Sequence, residues 1–241
     1  MPKPTVQFQS ECRMPKNNEE FRMRVYHEHK EGGVKEHVAI IKGNVQNLID
    51  NVVRIHSSCT TSEVFGCERC DCKEQLDYAF DEISNASSGA IVYLDQEGRD
   101  IGLAKKVAAY AMQDEGYNTA EANTVLGLDV DSRNFQPAID IMHDLGIKVT
   151  RLLTNNPDKI NAVANSGIHI TVRQPVVIDT KSDYQSKKAS IFQHLFDFNV
   201  ERDVTPVPRE SAPSSSNSTA EASSESTSSI AQILELSLAK S

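Results

Sequence analysis

The chain has 241 residues, a formal net charge of −9, a pI near 5.3 and 39% hydrophobic side chains. That length suits one large domain or two small ones and a core that needs no disulfide staples. Its acidity excludes the broad basic surface that draws nucleic acid or anionic membrane; no 18-residue apolar run is present, and MPKPTVQFQS at the N-terminus is no signal peptide.

Residues 1–20 are polar, with Pro2, Pro4 and Pro15, and read as a loosely held arm. Phe21 to Tyr26, Val38 to Ile41 and Asn51 to His56 read as strands, with turns at Gly32, Gly33 and Gly43. From Lys73 the period becomes helical through Leu76, Ala79, Phe80 and Ile83, and Gly89 breaks it. Ala90 to Leu94 is a buried strand. Ala104 to Glu115 is a helix whose apolar face is Val107, Ala108, Ala111 and Met112. Phe135 to Leu145 is a helix closed by Gly146, Val149 to Leu153 a strand, and Asn156 caps a helix opened by Pro157. Ile168 to Val172 is the last strand.

This order predicts a mixed α/β (α+β) domain over 21–200, with a β-rich N-terminal half and a helix-covered mixed sheet. Residues 211–229 hold ten Ser and two Thr, so 209–229 reads as a disordered linker. Residues 230–241 contain a short amphipathic segment, which suits either a frayed helix or a docking or nuclear-export-like peptide.

Four of the five cysteines, Cys59, Cys67, Cys70 and Cys72, fall within fourteen residues. Such crowding suits metal better than disulfides and points to a reducing, cytoplasmic setting. Three thiolates would leave zinc an open position for chemistry; Cys67 as a fourth would close the site and make it structural. Spacing alone leaves both open, and no metal as well.

Gln96-Glu97-Gly98-Arg99 follows the strand at 90–94, where α/β folds present ligand-binding groups; an exposed turn ion pair is the plainer reading. A carboxylate there can pair with the N–H edge of a guanine, and an arginine can fork onto phosphate. Thr154 to Lys159 (TNNPDK) spans a strand end and a helix N-terminus, a setting that favours an anion but also suits a simple cap. Asp131 and Arg133 pair a carboxylate with a cation in a loop, as base and cation or as a surface ion pair. Tyr110, on an apolar helix, reads equally as a core residue.

Taken together, RIHSSC (54–59), CDC with Gln75, QEGRDIGL (96–103), AYAMQDEGYNTAEAN (109–123), LGLDVDSR (126–133) and RLLTNNPDK (151–159) resemble the GTP cyclohydrolase II family of riboflavin biosynthesis. The resemblance covers residues 9–195. It implies a GTP cyclohydrolase II-like fold and hydrolysis of GTP to formate, pyrophosphate and 2,5-diamino-6-(5-phospho-ribosylamino)pyrimidin-4-one. It assigns zinc to Cys59, Cys70 and Cys72, leaves Cys67 out, and puts magnesium on the substrate phosphates. Catalytic roles fall to Tyr110, Asp131 as proton acceptor and Arg133 as nucleophile. An arginine whose pKa stays above about 12 suits phosphoryl charge stabilisation better.

Substrate contacts carried over by the resemblance are Arg54, Ile55, His56, Ser57, Ser58, Gln75, Glu97, Gly98, Arg99, Thr119, Thr154 and Lys159. Arg54, Arg99, Arg133 and Lys159 would supply the local positive charge that an acidic chain needs to hold a triphosphate. Family members are homodimers, and the absence of a preceding dihydroxybutanone-phosphate synthase segment implies the monofunctional form. Ser58 stands where the family usually has an acidic residue, and Asp95 where it usually has a basic one. Those departures keep two further readings in play: a relative with altered substrate or an incomplete reaction, such as a formylated product or a role in pyrimidine catabolism, and an inactive zinc-stabilised binding protein.

Overall fold

The computed structural model describes residues 4–46, 51–129 and 131–178. The Ser-rich linker, the C-terminal segment and the end of the domain expected over 21–200 lie outside them. The described residues divide into two compact units: 4–96 with 133–178, and 97–132.

The first unit is built on a seven-stranded sheet. Its strands are β1 (Val6–Lys16), β2 (Glu19–Lys30), β3 (Gly33–Lys42), β4 (Asn51–Ser57), β5 (Gly89–Leu94), β6 (Val149–Leu153) and β7 (His169–Gln174), in spatial order β1-β2-β3-β5-β4-β6-β7. Pairing is antiparallel from β1 through β2 and β3 to β5, then parallel from β5 through β4 and β6 to β7. Between the strands lie α1 (Thr60–Glu63), α2 (Cys72–Asn85), α5 (Gln136–Asp144) and α6 (Pro157–Ala164).

Period-two alternation sends successive side chains into different cores. Ala39, Ile41, Val53, Ile55, Ala90, Val92 and Leu94 pack with Ala138, Ile141 and Met142 of α5 and Ile160 and Val163 of α6. Their neighbours Ile40, Val52 and Ile91 face the other way, onto Ala79 and Ile83 of α2. Gly89 is required where β5 starts, because a Cβ there would stand 2.4 Å from the Val52 carbonyl oxygen. Strand β4 lies between β5 and β6, and its residues 51–56 are all buried. Parallel central strands are usually apolar throughout, so the buried Asn51, Arg54 and His56 are exceptions, of which Arg54 and His56 carry ionisable groups.

The described part of the expected N-terminal arm is not loose. Strand β1 pairs with β2 from Val6↔Glu28 to Lys16↔Glu19, and Asn17 and Asn18, at φ 52° and 62°, make the two-residue turn. Two residues at positive φ match the twist of a hairpin, and asparagine tolerates that conformation best after glycine. Most β1 side chains are exposed, as befits an outer strand, and this polarity gave the arm its unstructured look. Strands β2 and β3 also run beyond the apolar cores that mark them in the sequence.

The second unit holds α3 (Leu103–Asp114) and α4 (Thr119–Val125), around Ala109, Met112 and Ala122 with Tyr117 and Leu126 against them. Helix α4 is unheralded by apolar periodicity. Its signal is a reciprocal cap: the Glu121 N–H donates to Asn118 Oδ1 at 3.0 Å, and the Asn118 N–H to Glu121 Oε2 at 2.8 Å. On α3 the buried side is Ala109 and Met112, whereas Val107, expected on the apolar face, is half exposed.

Candidate functional site

Because β4, β5 and β6 run parallel, the segments after Ser57, Leu94 and Leu153 all leave strand C-termini, where α/β sheets carry their ligand groups. Cys59 follows β4, and its carbonyl accepts the Ser62 and Glu63 N–H groups as α1 begins. Cys70 precedes α2 and Cys72 opens it. Their three Sγ atoms lie within 4.8 Å of one another, with Cys59 and Cys70 3.5 Å apart. Tetrahedral zinc with bonds near 2.3 Å places its sulfurs about 3.8 Å apart, so this donor set fits the ion and leaves a fourth position. Among the described residues this is the one group of three or more ligating side chains so arranged, and Cys67 is outside it. The Cys70 thiol is pushed up, first by its hydrogen bond with Cys59, as expected where crowded sulfurs cannot all ionise without a cation.

Behind the cysteines runs a buried polar chain. Arg54 donates through Nη1 to the Leu153 carbonyl at 3.1 Å and through Nη2 to Gln75 Oε1 at 2.6 Å. Gln75 Nε2 donates to Asp71 Oδ2 at 2.7 Å, so the segment carrying Cys70 and Cys72 is tied to the middle of β4. Burial pulls the Arg54 pKa down to about 10, against the opposing fields of Cys72 and Asp71, and the group stays charged at neutral pH. Two residues on, His56 Nε2 lies 2.8 Å from Glu63 Oε1, and its ring stacks on Tyr93 at 5.7 Å and 16°.

The remaining predicted residues of this unit fall around these two groups. Ile55 turns its side chain into the core and offers only its carbonyl, which accepts from Lys159 Nζ at 2.9 Å. Lys159 is itself buried, and both it and Arg133 lie over the Phe135 ring, each 5.4 Å from its centroid. The fields of Arg133 on Arg54, and of Arg54 and Lys159 on His56, place these three cations in one neighbourhood. Ser57 Oγ donates to Gln96 Oε1 at 3.1 Å, and Ser58 Oγ accepts the Gln96 N–H at 3.1 Å, joining the ends of β4 and β5. Ser58 thus fills its position with a backbone contact rather than a charge. Exposed Asp95 gives its N–H to His37 Nδ1 at 3.1 Å. Thr154 Oγ1 accepts the Asn156 N–H, and Asn156 Oδ1 caps α6 at the Asp158 N–H, 2.8 Å.

In the second unit Gly98, Arg99 and Asp100 stand consecutively at φ 61°, 62° and 73°. Left-handed backbone costs a side-chain-bearing residue about 1 kcal/mol or more, and such strain gathers at functional loops. At Gly98 a Cβ would also meet Lys106 Cβ at 3.0 Å. Glu97 Oε1 accepts from the Gly98 N–H at 2.9 Å and from Lys106 Nζ at 2.8 Å, and the same ammonium lies 5.7 Å from the centre of the Tyr110 ring. Lys106 therefore joins a predicted recognition residue to a predicted catalytic one. The Ser132 N–H donates to the Arg99 carbonyl at 3.2 Å, which brings the exposed Asp131 segment to the same turn. Thr119 opens α4.

Glu63, Asp71, Tyr93, Lys106 and Phe135 join these groups without being expected from the sequence. Lys106 stands four residues before Tyr110, a helical spacing that was available as a signal. Glu63, Tyr93 and Phe135 carry no local mark, because their partners come from other elements.

A profile of the family described as GTP cyclohydrolase II matches residues 7–175. A GTP cyclohydrolase-2 of Picrophilus torridus is 40% identical over 194 residues, 79% of this chain and 100% of its own length. One from Buchnera aphidicola subsp. Schizaphis graminum is 42% identical, covering 70% of this chain and 87% of that protein. A chloroplastic monofunctional riboflavin biosynthesis protein of Arabidopsis thaliana is 42% identical over 67% of this chain and 32% of its own. With a match across most of the chain, and a relative aligned over its whole length, this protein belongs to the GTP cyclohydrolase II family.

Proposed function

We propose that the protein hydrolyses GTP in riboflavin biosynthesis, opening the imidazole ring and releasing formate and pyrophosphate to leave 2,5-diamino-6-(5-phospho-ribosylamino)pyrimidin-4-one. The observation that carries this reading is the convergence of the Cys59, Cys70 and Cys72 Sγ atoms within 4.8 Å, in a chain of this family. Zinc held there supplies Lewis acidity for hydrolysis at the purine ring.

The chain's own residues bind and orient. Glu97 takes the guanine N–H edge, its carboxylate steadied by Lys106 and the Gly98 N–H. Arg54, Arg133 and Lys159 gather positive charge for the triphosphate, whose oxygens carry magnesium. Tyr110 and Asp131 handle protons during ring opening, and Arg133 stabilises charge as pyrophosphate leaves. We assign the active form as a cytoplasmic homodimer. No helix among the described residues is long and apolar enough to cross a membrane.

The test is to incubate zinc-loaded protein with GTP and magnesium and measure formate, pyrophosphate and the diaminopyrimidine chromophore, with metal content determined separately. All three products are expected. Cys70→Ser should lose both zinc and turnover, and retention of full zinc by that variant overturns the metal assignment. A formylated product, or no product from the zinc-loaded protein, overturns the reaction.

A further inference from the structure

His56 and Glu63 form a dyad beside the cysteine site. Glu63 Oε1 lies 2.8 Å from His56 Nε2, and Glu63 Oε2 accepts from the Tyr93 hydroxyl at 2.6 Å. The carboxylate is nearly enclosed, with 9% of its side chain exposed, and the imidazole more so at 2%. An ionised carboxylate only accepts hydrogen bonds, so a neutral imidazole bonded to it through Nε2 carries its proton there. That leaves Nδ1 as a lone-pair acceptor. It is buried and makes no hydrogen bond with any of the described residues. A buried acceptor left without a donor costs about 1–3 kcal/mol, so proteins keep one where something else supplies the donor.

Everything around the ring holds this arrangement. Tyr93 lies opposite His56 in the β4–β5 ladder and stacks on it while bonding the same carboxylate. Glu63 is fixed at the end of α1 by its N–H to the Cys59 carbonyl at 2.9 Å. Burial and the nearby Arg54 and Lys159 charges disfavour the imidazolium, which outweighs the pull of Glu63. The histidine is thus built to remain neutral and to accept.

We infer that Glu63 is a positioning residue for the reaction: with Tyr93 it fixes His56 as the Nε2–H tautomer, so that Nδ1 accepts a hydrogen bond from an N–H or O–H in the active site. The inference rests on the nucleotide-hydrolysing reading for its kinetic arm and on the protein alone for its spectroscopic arm. The donor belongs to the purine nucleotide or to a bound water, which share this chemistry.

Long-range ¹H–¹⁵N spectra of the zinc-loaded protein at pH 7.5, with His56→Gln used for assignment, read the tautomer directly. The expected result is a protonated Nε2 and an unprotonated Nδ1. Adding a non-hydrolysable GTP analogue with magnesium should shift Nδ1 upfield if the nucleotide is the donor; an Nδ1 already upfield before addition identifies water. A proton on Nδ1, or a lone pair unperturbed in both states, overturns the inference whether or not GTP is turned over. Glu63→Gln should introduce the Nδ1–H tautomer and lower kcat/KM at least tenfold, with zinc content and thermal midpoint kept. Tyr93→Phe, which removes one of the two donors to the carboxylate, should cost two- to fivefold with the tautomer retained. A Glu63→Gln enzyme that keeps the wild-type tautomer and is within twofold of wild-type kcat/KM also overturns the inference. If the wild-type protein does not turn over GTP at all, the proposed reaction fails while the spectra still decide the tautomer.

Discussion

Single side chains set the chemistry of both units. Lys106 is largely buried against Glu97, with 11% of each side chain exposed, and removing its ammonium leaves that carboxylate short of a charged partner. Lys106→Met should raise the KM for GTP about tenfold, equivalent to about 1.4 kcal/mol, with zinc content unchanged. Titration with GTP and with inosine triphosphate, which lacks the exocyclic amine, shows whether the loss falls on guanine recognition. His37 illustrates the opposite use of a buried titratable group. Its Nε2 is 3.1 Å from Glu28 and its Nδ1 accepts the Asp95 N–H, so the neutral ring satisfies both nitrogens. Burial pulls its pKa below 6.5, with Lys35 adding to the effect and Glu28 and Asp95 opposing it. The folded chain then binds fewer protons than the unfolded one just below pH 6.5. Stability present above that pH is lost as the pH falls towards the folded value. Denaturant unfolding at pH 7.5 and 5.5 should show wild type losing more stability than His37→Gln, in which this titration is absent.

At the level of elements, helices are placed by the side chains that meet the sheet, and loops by their backbone conformation. Ile83 of α2 is fully buried against β4 and β5. Ile83→Ala should cost about 3 kcal/mol in a denaturant titration, and the proposed zinc site should loosen with it because Cys72 opens the same helix. At the β1–β2 turn Asn18 sits at φ 62°. Asn18→Gly should be neutral or slightly stabilising and Asn18→Ala destabilising by about 1 kcal/mol, compared by thermal midpoints. These elements also show what could be read from the sequence. Helix α2 was legible from its apolar stripe of helical period, α5 from the glycine that closes it, and α6 from the Asn156 cap and Pro157 at its start. Strand β1 was not, since as an outer strand it has little to bury, and its one local mark is the Asn17-Asn18 pair. Helix α4 carries its mark only in the Asn118–Glu121 cap.

For the whole molecule, the two units differ in how much they bury. The sheet unit has an apolar core on each face, whereas among the described residues of 97–132 the buried apolar side chains are Ala109, Met112 and Ala122. Local stability follows buried apolar surface. Amide exchange in residues 103–125 should therefore run well ahead of that in β3, β4 and β5, as mass spectrometry of peptic fragments would show. The unit that exchanges early is the one carrying Glu97, Arg99 and Tyr110.

The sequence by itself determined the family and the mixed α/β class, and through the family resemblance it named Cys59, Cys70 and Cys72 as candidate ligands. Those features lie in local period and in motifs whose spacing along the chain is their signature. Only the tertiary structure decided which thiolates converge and that Cys67 does not. It alone linked Arg54 to the cysteine segment through Gln75 and Asp71, and set Glu63 and Tyr93 upon His56. The physical reason is that each of these contacts joins residues from different elements. Their distances are fixed by sheet register and helix packing, which no stretch of the sequence encodes on its own.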